Sequence, residues 1–442
     1  MVIGGGIGGL ALAQGLRRAG VEVSVYERDR TPTDRLQGYR IHIDPLGSRA
    51  LHECLPPRLF DAFVASCGRP NTGIGFFDHQ LRELIWFGDE RGGVADPVDS
   101  PKSASRMSLR HVLLAGLTDI VQFEKTFSHY RTGPDGQVTA EFADGSTATA
   151  DLLVAADGGG SRVRRQYLPH AERIDTGVTG IQGKAWLTDE IRALLPPRLA
   201  QGPAMIPGPR GHGMFLAIHE FQPIPDELTA IAGPEAGARR DYVMWGLLTR
   251  RASLPADLEQ LDVVDLRALA LERIAAWHPS LRRIVASSDL DTVLLTPIRT
   301  SVPVGPWPAG HVTLLGDAIH SMPPTGGNGA NTALRDAALL SRKLASVARG
   351  ELSLLPAIAD YEAEMGSTAS TPCAAPCATC AGSGAPRAGS ASPPARSRCG
   401  RSTPSEASSA GPPPRAGAVR PAAPGAPPTS QDDDVLSRAV GA

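Results

Sequence analysis

The feature that most constrains the fold is the glycine-rich stretch at the start of the chain. A short apolar run leads into Gly4-x-Gly6-x-x-Gly9, an amphipathic stretch follows until Gly20, and a second apolar run ends at Glu27. This order predicts a strand, a tight turn, a helix and a second strand. In such a unit Gly4 allows the sharp turn, Gly6 lets the backbone approach a pyrophosphate, and Gly9 lets the helix lie close to the strand.

The predicted helix begins where a phosphate would bind. The N–H groups of a helix N-terminus attract anions, and Glu27 is placed to accept hydrogen bonds from a ribose diol. A glycine motif alone is weak evidence, but here the strand, turn, helix and acid occur in the right order, which favours dinucleotide binding. Only three residues precede Gly4, and a buried strand usually has about five. We therefore expect the natural chain to start upstream of Met1.

The composition is that of a soluble globular protein. A chain of 442 residues is long enough for two domains, and its net charge of −2 provides no basic field for nucleic acid or an anionic membrane. No stretch approaches the roughly 18 apolar residues of a membrane helix, and the N-terminus lacks the basic leader of a signal peptide. We expect a cytoplasmic protein that binds neither nucleic acid nor membrane. Only Cys54 and Cys67 lie outside the C-terminal tail, so no disulfide framework is expected.

Two cationic positions each allow two interpretations. The alternation of residues 38–44 predicts a strand with Arg40 and His42 on one face. That face either lines a ligand site, which makes Arg40 a catalytic candidate, or is solvated. Arg106 begins a predicted helix over residues 105–114, with Leu109, Val112 and Leu113 inward. A cation there opposes the helix dipole, so either an anion faces it or it is a surface arginine.

Residues 72–100 and 172–300 differ from the nucleotide-binding pattern. The first segment has aromatic residues in candidate strands that would wall an apolar pocket, namely Phe76, Phe77, Trp86 and Phe87. The second has short candidate strands around 183–187, 214–220 and 242–248 and a candidate helix over 264–277. Together they predict a mostly antiparallel layer. The scattered His212, His219 and His278 form no recognisable catalytic group.

Two further segments would face a ligand. The apolar strand predicted at residues 152–156 ends at Asp157-Gly-Gly-Gly-Ser161, which brings a carboxylate and flexible backbone to the crevice where α/β sheets bind ligands; a simple turn would also explain Asp-Gly. In residues 311–331 an apolar strand is followed by a rigid turn and a glycine-rich helix start. That segment contains Gly316-Asp317, Pro323-Pro324 and Gly327-Asn-Gly329-Ala330-Asn331.

These three motifs resemble, in order and separation, those of the flavin-dependent aromatic-ring hydroxylases. These are single-component monooxygenases of the p-hydroxybenzoate hydroxylase type, and the likeness extends to members that modify tetracycline or tailor natural products. The resemblance covers residues 1 to about 365. It implies an α/β fold in which a Rossmann-like FAD-binding domain (1–72, 101–171 and 299–365) is interleaved with a mostly antiparallel β-sheet substrate domain (73–100 and 172–298).

The resemblance also implies the cofactors FAD and NAD(P)H and roles for individual residues. Glu27 would hold the adenosine ribose of FAD, Asp317 the ribityl chain, and Arg106 the phosphates or ribityl. Asp157 would contact FAD and NAD(P)H together, and the helix start at Ala330 would lie under the flavin ring and stabilise its reduced, negative form. The other predicted cofactor-binding residues are Gly4, Gly6, Gly9, Arg28, Gly316, Pro324, Gly327, Gly329 and Asn331. No metal site is predicted.

The implied activity is insertion of one oxygen atom of O2 into an aromatic or polyketide-like small molecule through a flavin hydroperoxide, at the expense of NAD(P)H. The same FAD motifs also fit an isomerase or cyclase with no net redox step, which would consume neither NAD(P)H nor O2. A non-enzymatic nucleotide-binding module is disfavoured because the flavin-side motif is complete.

The composition changes abruptly after a predicted helix at residues 356–365. From Gly366 to about Thr429 the chain is dominated by Ala, Pro, Ser, Gly and Arg, which bury too little apolar surface to offset the entropy of ordering. We therefore predict a disordered tail over 366–442. Its Cys373-x-x-x-Cys377-x-x-Cys380 lacks the fourth ligand of a zinc site. A shifted reading frame in GC-rich DNA and a genuine linker both explain the change.

Overall fold

A computed structural model of the full chain describes residues 1–32, 34, 39–88, 96–233 and 239–369. The predicted tail therefore lies, apart from residues 366–369, outside the described residues, as do its four cysteines. The described α-helices are α1 (Ile7–Arg18), α2 (Pro45–Cys54), α3 (Pro57–Ser66), α4 (Arg106–Leu114), α5 (Arg162–Tyr167), α6 (Asp189–Ala193), α7 (Asp226–Ala232), α8 (Val263–Arg273), α9 (Pro279–Ala286), α10 (Asp317–His320), α11 (Gly329–Ala348) and α12 (Leu354–Ala369).

The described strands form four sheets. They are β1 (Val2–Ile3), β2 (Val25–Tyr26), β3 (Arg40–Ile43), β4 (Gly73–Phe77), β5 (Glu83–Gly88), β6 (Lys102–Ser105), β7 (Val121–Gln122), β8 (Phe127–Thr132), β9 (Val138–Phe142), β10 (Thr147–Ala150), β11 (Leu153–Ala155), β12 (Arg173–Trp186), β13 (Ala204–Pro207), β14 (Gly213–His219), β15 (Tyr242–Arg250), β16 (Ser288–Ser301) and β17 (Val312–Leu314).

The first sheet is parallel and has the order β17-β11-β1-β2-β7. Its register places Val2 of β1 opposite both Val25 of β2 and Val154 of β11. Since parallel strands end at the same edge of a sheet, the segments that follow β1, β2, β11 and β17 meet at one edge. The motifs at Gly4, Glu27, Asp157 and Gly316 are these segments. The predicted Rossmann-like unit is thus confirmed, with shorter strands than the hydrophobic runs indicated.

Two glycines in the first turn are required by close packing. Gly4 has φ +110°, and a Cβ there would lie 2.4 Å from the carbonyl oxygen of Ala156 in the neighbouring strand connection. A Cβ on Gly9 would lie 2.1 Å from the carbonyl oxygen of Gly4. Both distances are below any real contact, so the turn and the close approach of α1 to β1 exclude side chains at these positions.

The largest sheet has the order β16-β12-β15-β14-β13-β4-β5, and all its neighbours are antiparallel except β13 and β4. The prediction of a mostly antiparallel layer is confirmed. The prediction of a short strand around 183–187 is wrong, because that segment is the end of β12, which has 14 residues. β16, which also has 14 residues, was not among the candidate strands. The glycines and the shifts in register within β12 hide the alternation that would have revealed its length. The predicted helix over 264–277 is the shorter α8, and α9 follows it.

A two-stranded ribbon of β3 and β6 pairs Arg40 with Ser105 and His42 with Ser103. β8, β9 and β10 form a separate antiparallel sheet. α4 begins directly after β6 and buries Leu109, Val112 and Leu113 completely, as predicted. The predicted helices after residues 329 and 356 are confirmed as α11 and α12.

The buried apolar side chains form two clusters. One lies around the parallel sheet and includes residues of α1, α4, α11 and α12. The other lies on the large sheet and includes residues of α8 and α9, and Trp245 is one of its largest fully buried side chains. Cys54 and Cys67 are buried free thiols, and burial raises the pKa of each to about 12. Within the described residues, no helix has both the length and the apolar character that crossing a membrane requires.

Candidate active site

A cavity of about 380 Å³ lies at the carboxyl edge of the parallel sheet. We call it the first cavity. Its walls are the β1–α1 turn, the end of β2, the start of α4 and the loop after β11. Six of the predicted cofactor-binding residues line it, namely Gly4, Gly6, Glu27, Arg28, Arg106 and Asp157. The fold therefore brings together residues that are separated by up to about 150 positions in the sequence.

The Glu27 carboxylate fixes the glycine turn at the rim of the first cavity. One oxygen, Oε2, accepts a hydrogen bond from the Gly5 N–H at 2.6 Å, and Oε1 accepts one from the Asp29 N–H at 2.9 Å. A carboxylate oxygen has two acceptor positions, so each can accept a further bond. Asp29 in turn pairs with Arg110 at 3.3 Å, and both line the cavity.

The first cavity has open space where α1 begins. A Cβ added to Gly6, Gly158 or Gly160 would contact nothing among the described residues, and no side chain caps the N-terminus of α1. Asp157 lies opposite, where its Oδ2 accepts from the Arg162 N–H at 2.8 Å and its buried Oδ1 has no partner in the described part of the chain. Burial raises the pKa of Asp157, although its hydrogen bonds with Ser161 and Arg162 act to lower it.

A second cavity of about 850 Å³ lies between the parallel-sheet region and the large sheet. Nine predicted residues line it, namely Gly6, Arg40, Arg106, Gly316, Asp317, Pro324, Gly327, Gly329 and Ala330. Its opposite wall is apolar and consists of Ile74, Phe87, Met205, Phe215, Met244 and Leu248. The strands of residues 72–100 do contribute to this wall, but of the four aromatic residues predicted there only Phe87 lines the cavity. Phe77 is instead buried in the apolar cluster of the large sheet.

The two cavities adjoin. Gly6, Ile7, Arg106, Ala156 and Gly158 line both of them. The N-terminus of α1 is thus near the junction, and the N-terminus of α11, which also has no side-chain cap, is in the second cavity. A long ligand with phosphates near its middle would place them at the junction, where helix dipole and N–H groups favour negative charge.

Asp317 lies in the second cavity beside the start of α11. A Cβ on Gly329 would lie 3.7 Å from its Oδ1. The side chain is open to the cavity, but protein surrounds it on most sides, and this burial raises the pKa of Asp317. The charges of His320, Arg173 and Arg106 oppose the rise.

A buried carboxylate outside the cavity shapes the Gly316-Asp317 turn. Asp336 Oδ2 accepts hydrogen bonds from the Gly316 N–H at 2.9 Å and from His320 Nε2 at 2.7 Å. Burial alone would lower the pKa of His320, but the hydrogen bond and the charge of Asp336 outweigh it and raise the pKa. Gly316 itself has φ +59°, a conformation that favours glycine.

Gly9 and Asn331 were predicted to bind cofactor, but neither is among the described residues that line the first or the second cavity. Gly9 lies where α1 packs on the first turn. The Asn331 amide donates to the carbonyl oxygens of His42 and Gly327 at 3.0 Å each, and its Oδ1 accepts from the Asp44 N–H at 3.0 Å. Asn331 therefore ties the start of α11 to β3 and acts on the cavity through the backbone.

Sequence reasoning gave no role to Arg164, which connects two motifs. Its guanidinium donates to the carbonyl oxygen of Ala318 at 2.7 Å and to that of Gly159 at 3.1 Å. It thereby joins the glycines after Asp157 to the turn at Asp317. The cluster Ser161-Arg-Val-Arg164 was visible in the sequence, but nothing in its spacing indicated which arginine turns inward.

Arg40 lines the second cavity and is 6% exposed, so the alternative of a solvated strand face is wrong. His42 lines the same cavity. Arg40 Nε donates to Ser103 Oγ at 2.6 Å, and Ser103 Oγ lies 3.0 Å from His219 Nδ1. Ser103 and His219 were both missed, because they lie 116 residues apart and belong to no motif.

Comparisons with known proteins agree with this geometry. An NAD(P)-binding Rossmann-like domain family matches residues 2–64, and an FAD binding domain family matches residues 276–366. An FAD-containing protein of Photorhabdus luminescens, assigned as a monooxygenase, has a crystal structure that is similar at TM-score 0.73 and 38% identity, over 83% of this chain and 93% of that one. The chain belongs to the family of FAD-dependent monooxygenases of the p-hydroxybenzoate hydroxylase type.

Two other members of this family illustrate its range. The dual O-methyltransferase/FAD-dependent monooxygenase elcB of Phaeosphaeria nodorum is 32% identical over 377 residues, which are 79% of this chain and 40% of that protein. The chain thus spans less than half the length of the first curated relatives it matches. A single-substitution variant of HpxO from Klebsiella pneumoniae, crystallised with FAD, is similar at TM-score 0.65 and 25% identity, over 83% of this chain and 85% of that one.

The residues that line the two cavities fit FAD, the cofactor of this family. The open glycine positions and the uncapped start of α1 suit the diphosphate. Asp157, whose buried Oδ1 has no partner among the described residues, lines the same cavity. The adjoining second cavity has a second helix N-terminus and Asp317 beside it. Which of these residues contacts which part of FAD remains a prediction.

Proposed function

We propose that the protein is an NAD(P)H-consuming monooxygenase that transfers one oxygen atom of O2 to an aromatic or polyketide-like small molecule in the second cavity. The observation that carries this proposal is the junction of the two cavities. One is narrow and surrounded by glycine backbone and charge, and the other is wide with an apolar wall. A dinucleotide cofactor that spans the junction would present its ring to a planar apolar substrate.

In this proposal the residues around the first cavity hold the adenosine diphosphate part of FAD. Glu27 accepts hydrogen bonds from the ribose, and the N–H groups at the start of α1, with Arg106, bind the phosphates. Gly4 and Gly9 keep the turn tight enough for this approach. Asp157 and its glycines contact FAD and the nicotinamide cofactor.

The residues around the second cavity hold the reactive part of the cofactor and the substrate. Asp317 accepts from the ribityl chain, and the N-terminus of α11 at Gly329 and Ala330 stabilises negative charge on the ring. When bound, reduced FAD supplies the activation of O2. The apolar wall excludes water from the reacting atoms and packs against the substrate.

A division into two parts accompanies this proposal. Residues 1–72, 101–171 and 299–365 form the FAD-binding part, and residues 73–100 and 172–298 form the substrate part. The two clusters of buried apolar residues support the division, because every fully buried member of each cluster falls on one side of it.

The proposal is tested by turnover of the purified protein under isotopically heavy O2. NADH or NADPH is supplied with a panel of hydroxynaphthoates and hydroxyanthraquinones. We expect at least one compound to gain one heavy oxygen atom for each NAD(P)H consumed, with the second atom released as water. A product that is rearranged without heavy oxygen and without NAD(P)H consumption would instead establish an FAD-binding isomerase or cyclase.

A further inference from the structure

Arg40 is a buried cation without a carboxylate partner in the described part of the chain. Its side chain makes one hydrogen bond, to Ser103, and its Nη2 is buried without a partner among the described residues. Burial lowers the pKa of Arg40 to about 10, so it remains charged at neutral pH. A buried charge that has no partner strongly destabilises a fold. A group that lines a cavity at such a cost is expected to meet an anion there.

The other cations of the second cavity are already engaged. Lys102 donates to Ser48 Oγ and to oxygens of Pro97 and Ser100. The negative charges of Asp96 and Asp99 also act on Lys102 and favour its charged form. The charge of Arg106 acts on Asp317, the one carboxylate among the described lining residues. Arg40 is therefore the lining cation whose countercharge the described residues do not supply.

The hydrogen bonds around Arg40 run in one direction. Arg40 Nε can only donate, so Ser103 Oγ accepts from it and directs its own hydrogen to His219 Nδ1. His219 is consequently neutral with its hydrogen on Nε2, in agreement with the low pKa of about 3 that burial gives it. The His219 ring stacks on Tyr242 at 5.2 Å and meets the edge of Phe221 at 4.4 Å. A rigid chain of side chains thus fixes the guanidinium.

This chain turns Arg40 toward the large sheet. His219 ends β14, whereas His42, two residues along β3 from Arg40, lies at the start of α11. The Asn331 amide donates to the His42 carbonyl oxygen, and a Cβ on Gly327 would lie 3.6 Å from His42 Cβ. Alternate residues of a strand are separated by about 6.6 Å. His42 is thus beside the start of α11, whereas the side chain of Arg40 is held on the side of β6 and β14.

We propose that the second cavity binds its substrate in an ionised form, with an anionic oxygen paired to Arg40 and with Ser103 and His219 as positioning residues. This inference rests on the proposed function, since it assigns the second cavity to the substrate. The anionic oxygen belongs to an enolate, phenolate or carboxylate attached to a flat apolar body. The apolar wall packs against the flat body of the substrate, and Arg40 favours the ionised form over the neutral form.

The test is a binding titration of the FAD-loaded protein with two probes of similar shape, 2-naphthoate and 2-naphthamide. Binding is monitored by the change in flavin absorbance. A charge-assisted hydrogen bond to a buried partner corresponds to about tenfold or more in affinity. We expect the wild type to bind naphthoate about tenfold more tightly than naphthamide. Arg40→Met, which keeps an unbranched side chain but removes the charged guanidinium, should reduce the ratio to near one with little change for naphthamide.

Two matched variants separate positioning from general damage. Ser103→Ala should give an intermediate ratio, and Ser103→Thr, which keeps the hydroxyl, should restore the wild-type ratio. Met205→Leu, on the apolar wall, should change both affinities equally. FAD content and unfolding temperature are measured for each variant, so a misfolded protein is recognised.

A wild type that binds naphthoate no more tightly than naphthamide, including one that binds neither, overturns the proposal. So does an Arg40→Met variant that keeps the ratio. If that variant also shifts the reduction potential of FAD, Arg40 faces the flavin instead of the substrate. The titration needs neither NAD(P)H nor O2. A failure of oxygen transfer and a failure of anion selection are therefore distinguishable.

Discussion

The first and second cavities are assembled in different ways. The first is formed by turns that directly follow neighbouring parallel strands, and its key carboxylate, Glu27, is held by backbone N–H groups of its own motif region. The second is formed by α11, the β3–β6 ribbon and six strands of the large sheet. Local sequence determines the first cavity, whereas tertiary packing determines the second. Substitutions at the two cavities should therefore have different consequences.

The largest effect is expected for Gly4→Ala. The new Cβ would meet the Ala156 carbonyl at 2.4 Å, and the φ of +110° is strained for any side chain. Strain and overpacking each cost about 1–3 kcal/mol, so we expect about 2–6 kcal/mol of lost stability. Chemical denaturation of the apoprotein measures it.

Gly6→Ala is the matched control for Gly4→Ala. A Cβ there contacts nothing among the described residues, and the φ of −80° suits alanine. The apoprotein should keep its stability and lose FAD affinity, because the methyl group occupies the space assigned to the diphosphate. Equal losses of stability in both variants would contradict the different roles given to the two glycines.

A smaller effect is expected for Asp317→Ala. Loss of a charge-assisted hydrogen bond to the ribityl chain should weaken FAD binding by about 1.5–3 kcal/mol, without destabilising the apoprotein. Asp336→Ala should do the reverse and destabilise the apoprotein, because Gly316 and His320 lose their buried acceptor. Equilibrium dialysis with FAD and thermal unfolding measure the two quantities. An Asp317→Ala protein with unchanged FAD affinity would show that Asp317 does not bind FAD.

The His320–Asp336 pair predicts a pH dependence of stability. The pKa of His320 is raised in the folded state above the ordinary 6.5. Its contribution to stability is therefore full below pH 6.5 and is lost as the pH rises through the folded pKa. In thermal unfolding across this range, the difference between wild type and His320→Gln should shrink toward high pH. A difference that grows with pH would show that His320 is neutral in the fold.

The smallest effect is expected on the apolar wall. Met244→Leu conserves volume, and such changes usually cost less than about 1.5 kcal/mol. Because Met244 lies on the large sheet, FAD affinity should remain that of the wild type while the relative affinities of aromatic ligands change. Altered FAD affinity would mean that the cofactor extends further toward the large sheet than proposed.

The sequence predicted the first cavity more completely than the second for a physical reason. Glycine spacing, a strand-ending acid and helix periodicity are local, so residues such as Gly4 and Glu27 were identified without tertiary information. Arg40 was suggested by strand alternation alone. Its partners Ser103 and His219 required the pairing of β3 with β6 and the approach of β14, which no local pattern encodes.

The secondary structure shows the same difference between features that local sequence determines and features that depend on tertiary packing. The unit of β1, α1 and β2 and the helices α4, α11 and α12 were predicted from periodicity, because each has one buried face. The length of β12 was not predicted, because its glycines interrupt the side-chain alternation and its pairing with β16 shifts register twice. Asn331 was predicted in the right region, but its contacts to His42 and Asp44 could only be seen in the structure.

The central claim is that one FAD molecule spans both cavities. The most direct measurement is a crystal structure of the protein after incubation with excess FAD. The account predicts a yellow protein with adenosine density beside Glu27, phosphates at the start of α1 near Arg106, and the ring in the second cavity beside Asp317 and the start of α11. A protein that stays colourless, or FAD density that does not enter the second cavity, would contradict it.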